Sequence, residues 1–398
     1  MERHRWASAI LATGLLLITV PVTSAASPHA PDPAASATCA LRYLAGQQRA
    51  DGSVGGQAGV SADYIFGAAA AGFDPTKLKA SSGKTVYDYL ETGIGGSLSN
   101  AALVAKEALA AIDGKLDPTA FGSSDLLTAL DATYNSTTHA YGDAETYTQS
   151  LAILALAAAA NGSHPLPAAA VTELISVQDT DGSWDFQGIK DAAGGGDTNS
   201  TSVAIQALIA AGKPASDPSI TKGLAYLADQ QLSDGGFPYS EAFGPPASDP
   251  DSDAVVIQGL VAAGENPSGS AWTKAGHTAL TNALTFQDSK NGGFTFPGNS
   301  GPDAFTTSQV PAGLLQVPFP GSTSWTAGAA LPPALCPAAA PSPKPSGGTG
   351  PIATPPATSS IAPPANYQGD SELPIVLGLT TLAAVIIGCR VWARRPSR

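Results

Sequence analysis

The sequence contains little cysteine, little histidine and few basic residues. Three cysteines and five histidines occur among 398 residues, and 19 lysines and arginines face 32 aspartates and glutamates. No cysteine lies between Cys39 and Cys336, so a cysteine-containing zinc site cannot form in the central part of the chain. The excess of negative charge excludes nucleic acid as a partner. The sequence therefore indicates no metal site and no required cofactor.

The start of the chain has the features of a targeting segment. Arg3 and Arg5 precede an apolar run over residues 9–20, and the small residues Ala25 and Ala26 follow it. This order is typical of a secretory signal peptide, which we predict over residues 1–26.

The end of the chain has the features of a membrane anchor. Residues 373–389 carry no charge, and four arginines follow them, which predicts a transmembrane helix over 372–392 and a cytoplasmic tail over 393–398. The Leu-Pro-x-Thr-Gly sequence of sortase substrates is absent from this region. Residues 337–371 are rich in proline, serine and threonine and predict an extended linker. Without the charges of the signal and tail, 31 acidic and 13 basic residues remain outside the membrane, a net charge of −18. We expect a single-pass protein of the cell membrane with an extracellular folded part.

The remaining 300 residues or so contain a repeated turn. A glutamine, a short polar turn with glycine and a bulky residue recur along the chain. The copies are "GQQRADGSVGG" (46–56), "VQDTDGSWDF" (177–186), "DQQLSDGGFPY" (229–239) and "FQDSKNGGFTF" (286–296). Such repetition is the signature of an architecture built from similar units.

A second repeated feature follows each turn. It consists of an acidic residue, two variable residues and a Ser or Thr, followed by an apolar run. The acidic residues are Asp143, Asp197, Asp249 and Asp303. Degenerate copies start at Ser61 and Ser97, which makes six units. We expect the first residue to cap a helix that is apolar on almost every face and is therefore buried. The helix before each turn is amphipathic and belongs outside. Six helix pairs of this kind predict an all-α fold over residues 36–336, closed into a double ring.

The turn motif resembles that of a known superfamily. The Gln-x-x-x-Gly-x-Trp pattern of Gln178, Gly182 and Trp184 is similar to the repeat of squalene and other terpenoid cyclases. That resemblance implies an α/α toroid, the scaffold also found in protein prenyltransferases, the complement thioester domain and the cobalamin carriers intrinsic factor and transcobalamin. It implies the fold and leaves the activity open. We expect the turn residues to have a structural role; they are Gln178, Gly182, Trp184, Gln231, Phe237, Gln287 and Phe294.

A catalytic interpretation rests on two aspartates. Cyclases that start by protonation use an Asp-x-Asp-Asp motif, which Asp249 and Asp251 match at the first and central positions, but Ser252 replaces the last acid. Because acids recur at this place in other repeats, helix capping is the simpler interpretation. Few tryptophans are available to surround a carbocation, as a cyclase requires. The zinc site of prenyltransferases cannot form without a cysteine, and the Cys-Gly-Glu-Gln sequence of the thioester domain is absent. The histidines His139, His164 and His277 are scattered and predict surface positions.

A binding interpretation rests on the helix starts. The N-termini of the six buried helices meet at one mouth of the ring, where we expect their free N–H groups to favour anionic or carbonyl groups. The residues expected near that mouth are Asp63, Ser99, Glu145, Asn199, Asp251 and Phe305, of which Glu145, Asn199, Asp251 and Phe305 are the candidate ligand contacts. The resemblance to cobalamin carriers implies a corrinoid as a possible ligand, with a small extracellular partner domain in place of the second domain that this chain lacks. The alternatives are an enzyme similar to squalene-type cyclases or prenyltransferases, and a cell-surface protein-binding or adhesive domain.

Cys39 and Cys336 flank the predicted ring. Outside the membrane disulfides persist, so these two cysteines predict a bridge that joins the ends of the folded part. The alternative is two free thiols with a role in chemistry.

Overall fold

The computed structural model describes residues 32–192, 195–240, 246–321, 323–332 and 336. The predicted signal peptide, transmembrane helix and cytoplasmic tail, and the linker over 337–371, lie outside the described residues. Within the described ranges, no helix is long and apolar enough to span a bilayer.

The described residues form twelve α-helices that alternate between an outer and an inner layer. The outer helices are α1 (Pro33–Gly46), α3 (Val86–Ser97), α5 (Leu126–Ala132), α7 (Ala168–Ser176), α9 (Pro218–Gln230) and α11 (Ala279–Ala283). The inner helices are α2 (Ala58–Ala70), α4 (Ala101–Asp113), α6 (Thr146–Ala159), α8 (Thr198–Ala210), α10 (Pro250–Ala262) and α12 (Ala304–Leu314). A two-stranded antiparallel ladder, β1 (Tyr134–Asn135) and β2 (Ala140–Tyr141), replaces the glutamine turn after α5.

The inner helices close into a ring. Each one packs against the next inner helix along the chain, and α12 packs against α2. Each outer helix packs mainly on the inner helix of the preceding pair, and α1 packs on α12 in the same way. The six helix pairs and the all-α class that the sequence predicts are therefore present as a closed double ring.

Small residues bring the inner helices close together. We number positions in each inner helix from the cap residue that precedes it. The fifth and tenth positions after the cap hold only Ala, Ser or Gly in all six helices. These residues are Ala62, Gly67, Ala105, Ala110, Ser150, Ala155, Ser202, Ala207, Ala254, Gly259, Ser308 and Gly313. A Cβ atom on Gly313 would lie 2.5 Å from the Cα of Ala254, and one on Gly259 would lie 3.0 Å from the Cβ of Ser202. Larger side chains at these positions would force the helices apart, because non-bonded carbons attract best at about 3.5–4.0 Å.

The repeated glutamines join consecutive repeats. In each turn the glutamine Nε2 donates to a carbonyl of its own turn and to a carbonyl at the next outer segment. Gln178 donates to Gly182 and Ser219, both at 2.8 Å, and Gln287 donates to Gly292 at 2.9 Å and to Ser36 at 2.8 Å. The last contact joins the last repeat to the first.

The bulky residues of the turns are fully buried. Trp184, Phe237 and Phe294 each have no exposed surface, and the indole of Trp184 donates to the Leu174 carbonyl at 2.7 Å. The backbone N–H of each donates to the side chain of the fourth residue after the cap of the following inner helix. Trp184, for example, donates to the Thr201 hydroxyl at 3.0 Å. These residues therefore hold the turn onto the start of the inner helix.

Three predicted helix starts differ from those of the structure. Helix α6 begins after Glu145, and Asp143 lies two residues earlier, where its side chain accepts from the Glu145 N–H at 3.3 Å. Ser61 lies inside α2, which begins after Gln57, and Ser97 is the last residue of α3. These starts were wrong because the repeats of α2, α4 and α6 have no aspartate at the cap position. Ser61 instead accepts from the Val54 N–H at 2.9 Å.

The segment after α12 crosses the C-terminal end of the ring. We call residues 316–321 and 323–332 the strap. Gln258 donates to the Val317 carbonyl and Phe319 donates its N–H to Gln206, both at 2.8 Å, while the Phe319 ring meets Phe66 edge-on at 5.1 Å. The strap thus touches three inner helices.

Further along, the strap is fixed to the end of α4 and then to α1, where Arg42 donates to the Leu331 carbonyl at 3.4 Å. The Trp325 indole donates to the Asp113 carbonyl at 2.6 Å, and the Lys115 ammonium lies 3.9 Å above the Trp325 ring. A disulfide joins Cys336 to Cys39 on α1, as the sequence predicts, with Cα atoms 5.4 Å apart. The strap therefore covers the C-terminal end of the ring.

Candidate functional site

The inner helices run parallel, so their first turns meet at one end of the ring. Asp251 and Thr306, in the first turns of α10 and α12, lie beside each other. At the opposite end, the strap contacts the ninth residue after the cap position of three inner helices. These residues are Phe66 on α2, Gln206 on α8 and Gln258 on α10. We call the end formed by the first turns the mouth.

The exposure of the inner helices indicates a recess at the mouth. Residues three or four positions apart lie on the same face of a helix, so the second, sixth and ninth positions of each inner helix share one face. The ninth positions reach the strap at the ring axis. The second and sixth positions therefore face the axis as well. The half-buried residues at these positions are Ala102, Tyr147, Val255, Phe305 and Gln309, and we call the space that they line the recess. Apart from the helix ends, the other residues of these helices are almost all buried. Solvent therefore reaches the second turn of α10 and α12.

A buried ion pair lies in the wall of the recess. The Lys106 ammonium on α4 contacts the Asp63 carboxylate on α2 at 2.7 Å, and the two side chains are 3% and 7% exposed. Ser308 of α12 lies beside the same carboxylate. Burial raises the pKa of Asp63, and the Lys106 charge opposes that rise. The second oxygen of Asp63 has no hydrogen-bond partner among the described residues.

Asp251 lies next to this pair without a cation of its own. Its residue is 4% exposed, and its Oδ1 has no hydrogen-bond partner within the described ranges. Burial raises the pKa of Asp251 well above its usual value, and the nearby charges of Asp249, Asp303 and Asp63 raise it further. Burial and the neighbouring negative charges therefore both favour the protonated form of Asp251.

The caps of the neighbouring helices use further acids. Asp249 accepts from the Ser252 N–H at 2.8 Å, and burial raises the pKa of Asp249 to about 6. Asp197 accepts from the Ser200 N–H at 2.6 Å, and burial raises the pKa of Asp197 to about 7. Asp253 accepts from the Phe237 N–H at 2.7 Å, and burial raises its pKa well above the usual value.

These caps bear on the expectation that free helix N–H groups at the mouth favour anionic or carbonyl groups. Asp197, Asp249 and Asp303 each accept from one such N–H group in α8, α10 and α12. With Asp251 and Asp63 added, the mouth is rich in acids. It disfavours anionic groups and favours hydrogen-bond donors.

The structure brings together most of the predicted site residues. Asp251 and Phe305 occupy axis-facing second positions of α10 and α12, and Asn199 holds the same place in α8, where it is buried. Glu145 is half-buried at the cap position of α6, where burial raises its pKa to about 7. Ser99 lies in the turn before α4, one residue ahead of the cap Asn100.

Sequence reasoning missed Lys106, Tyr147 and Gln309. The signal for Lys106 is its place within the otherwise apolar helix "AALVAKEALAAID", where a buried charge needs a partner. Tyr147 and Gln309 can be recognised as site residues only once the register of the inner helices is known, because that register places them at a second and a sixth position. Among the described residues, no three His, Cys, Asp or Glu side chains lie together in a way that could hold a metal ion.

A second cavity lies away from the mouth. It has a volume of about 350 Å³ and lies between the ends of α4 and α6, where Ile112, Lys115, Leu116, Leu127 and Asn161 line it in part. It contains none of the predicted site residues.

Comparisons with known proteins yield structural neighbours. No family model matches the chain, and no curated protein matches it. The structural neighbours include terpene cyclases, glycosidases and an epimerase. The ent-copalyl diphosphate synthase from Streptomyces platensis is 15% identical over 65% of this chain, with a TM-score of 0.44, and the chain spans 49% of that protein. The type II terpene cyclase MstE from Scytonema is 14% identical over 72% of this chain and 98% of its own, with a TM-score of 0.49. A protein described as a wild-type glycosidase is 12% identical over 71% of this chain and 96% of its own, with a TM-score of 0.46. Because these neighbours differ in activity, neither activity is assigned to this chain.

Proposed function

We propose that this protein binds a small molecule in the recess at the mouth. The observation that carries the proposal is the pattern of exposure on the inner helices: apolar and aromatic side chains are half-buried at axis-facing positions, above a buried group of acids. Apolar walls with a few placed polar groups are the usual composition of ligand sites. The strap covers the other end, so the ligand enters from the mouth.

The chemistry of the mouth favours a ligand with an apolar body and hydrogen-bond donors. The oxygens of Asp63 and Asp251 that lack a partner can accept N–H groups, and Asp251 can also donate when it is protonated. A corrinoid fits this description, because carboxamide groups surround its ring. We keep it as the first ligand to test, together with a small extracellular partner domain that would cover the mouth.

The test is a melting-temperature screen of the full-length chain against a corrinoid panel, with and without any co-encoded small extracellular domain. A ligand present at 100 times its Kd stabilises the folded state by about 2.7 kcal/mol, which such a screen resolves. We expect Phe305→Ala and Asn199→Ala to reduce the shift and Lys222→Ala, an exposed residue on α9, to leave it unchanged. Absence of a shift in every combination would remove the corrinoid version of the proposal.

A second function, proton-initiated cyclisation of a polyprenyl substrate, is favoured by Asp251 alone. A buried carboxylic acid whose pKa is raised by burial is the kind of group that can donate a proton to an alkene. Incubation of the protein with polyprenyl substrates, followed by product analysis, tests this function. A cyclised product that forms with the unaltered protein and not with Asp251→Asn would replace the binding proposal.

We also propose that the ring is displayed outside the cell on the predicted linker and anchor. The support is the sequence of the two ends alone. Protease treatment of intact cells should remove the ring and leave a small membrane-bound C-terminal fragment. An adhesive role, which needs no recess, remains the alternative if no small molecule binds.

A further inference from the structure

The cavity between the ends of α4 and α6 has a largely apolar lining. Its volume is about 350 Å³, within the range of about 300–1,000 Å³ that is usual for small-molecule pockets. Ile112 on α4, Leu116 in the loop after it and Leu127 on α5 line it, and Ala158 and Ala159 line it from the end of α6. The space therefore suits a molecule with a single small apolar body.

Helix α6 ends differently from the other five inner helices. Beyond the ends of α2, α4, α8, α10 and α12, two successive N–H groups donate back to carbonyls of the last turn. Beyond α6 only the Ala160 N–H donates back, to the Leu156 carbonyl at 3.2 Å. No backbone N–H of the described residues donates to the carbonyls of Ala158 and Ala159, the two α6 residues that line the cavity. These carbonyls are therefore open to a donor in the cavity.

The charges around the cavity favour a cation in it. Both α4 and α6 end here, and the C-terminal end of a helix carries a partial negative charge. The hydroxyl and N–H groups of Thr119 donate to the Asp117 side chain at 2.7 and 2.9 Å and lower its pKa, so this lining residue is negatively charged at neutral pH. The lining also includes Lys115, whose ammonium lies 3.9 Å above the Trp325 ring and donates to the Trp325 carbonyl at 3.4 Å. The Lys115 charge is thus directed to the strap.

From these features we propose that the cavity binds a small primary amine in its ammonium form. The apolar body of the amine packs against Ile112, Leu116 and Leu127, and its ammonium donates to the carbonyls of Ala158 and Ala159. An alcohol of the same shape brings a single donor and no charge, and a carboxylate faces two negative helix ends. The cavity therefore selects amines over both. This inference is independent of the function proposed for the mouth, because the cavity and the recess share no residue.

The experiment compares benzylamine, benzyl alcohol and benzoate on the full-length chain at neutral pH. Binding is measured by titration calorimetry and by the shift in melting temperature. We expect benzylamine to bind about tenfold more tightly than the other two, because it alone brings a positive charge to the helix ends and to Asp117. Equal binding of the three compounds would overturn the inference, as would the absence of benzylamine binding.

Variants assign the binding to this cavity. Ala158→Leu fills the space and should abolish benzylamine binding, whereas Ala210→Leu, at the same repeat position of α8, is the matched control and should leave it unchanged. Circular dichroism checks that both variants fold. Asp117→Asn changes an exposed residue and should weaken the binding of benzylamine alone.

A variant at the mouth separates this site from the recess. Phe305→Ala should leave benzylamine binding unchanged. If Phe305→Ala weakens that binding and Asp117→Asn does not, the amine binds in the recess and the inference is overturned. Corrinoid binding that Phe305→Ala weakens, with no benzylamine binding, would support the proposed function and remove this inference.

Discussion

The Gln287 side chain donates a hydrogen bond to the carbonyl of Ser36, which lies 251 residues earlier in the chain. The same amide nitrogen donates to Gly292 in its own turn at 2.9 Å. The equivalent glutamines of the preceding repeats make the same two bonds forward along the chain. One residue type thus both joins neighbouring repeats and closes the ring.

Gln287→Ala should destabilise the fold by about 1–3 kcal/mol, because it removes two largely buried hydrogen bonds. The measurement is urea unfolding followed by circular dichroism. Gln47→Ala, at an exposed glutamine next to another turn, is the matched control and should stay within about 0.5 kcal/mol of the unaltered protein. Equal stability of the two variants would show that the ring closes without this contact.

Lys106→Met should destabilise the fold by about 3–5 kcal/mol, because it leaves the buried Asp63 carboxylate without its cation. The double variant Asp63→Leu with Lys106→Met should recover most of this loss, since no buried charge remains. The exposed pair of Lys84 and Asp88, 3.5 Å apart, provides the control: Lys84→Met should cost no more than about 1 kcal/mol. A double variant as unstable as Lys106→Met would contradict the explanation.

Stability should decrease as the pH rises from 5 to 8, in part because of Glu107. This buried side chain accepts from the Ser97 hydroxyl at 3.2 Å, and burial raises its pKa from 4.5 to about 8. Between these values the unfolded chain releases a proton that the folded chain keeps, so the stabilisation present at low pH is lost as the pH rises. Glu107→Gln should reduce this decrease by a few kcal/mol, which unfolding in urea at pH 5, 6.5 and 8 will measure. Parallel pH curves for the two proteins would show that Glu107 is ionised in the fold.

Gly235→Ala should be more destabilising than Gly72→Ala. Both glycines have left-handed backbone, with φ of +83° and +81°, so both variants incur a conformational cost of about 1–2 kcal/mol. A Cβ atom on Gly235 would also lie 2.4 Å from the backbone carbon of His277, whereas one on Gly72 would meet nothing within 4 Å. Melting temperatures of the two variants separate the clash from the backbone effect. Equal losses would mean that the turn can move away from the next repeat.

The sequence predicts the features of this fold that repeat. The glutamine turns, the aspartate caps of α8, α10 and α12, and the apolar inner helices recur at a nearly fixed spacing, so local chemistry is enough to recognise them. The strap occurs once and has no repeat to compare with, and its contacts from Phe319 and Trp325 to the inner helices depend on the assembled ring.

The candidate site was predicted only in part. Asp251, Asn199 and Phe305 hold the second position in their repeats, which the alignment of repeats reveals. The pairing of Lys106 with Asp63 depends on the packing of α2 beside α4 in a degenerate part of the sequence. The starts of α2, α4 and α6 differ from the predicted ones for the same reason: their repeats have lost the capping aspartate.

Because each outer helix packs on the inner helix of the pair before it, no helix pair is a self-sufficient unit. A linear array of repeats can gain or lose a member at either end, since only one interface changes and a polar terminal repeat protects what remains. A closed ring has no terminal repeat. Deleting one pair would leave α1 and α12 to meet at a different curvature, and the strap would be too long for the smaller opening. We therefore expect the number of pairs to be fixed in proteins of this design, so that new ligand preferences arise by substitution at the mouth and not by the addition or loss of repeats.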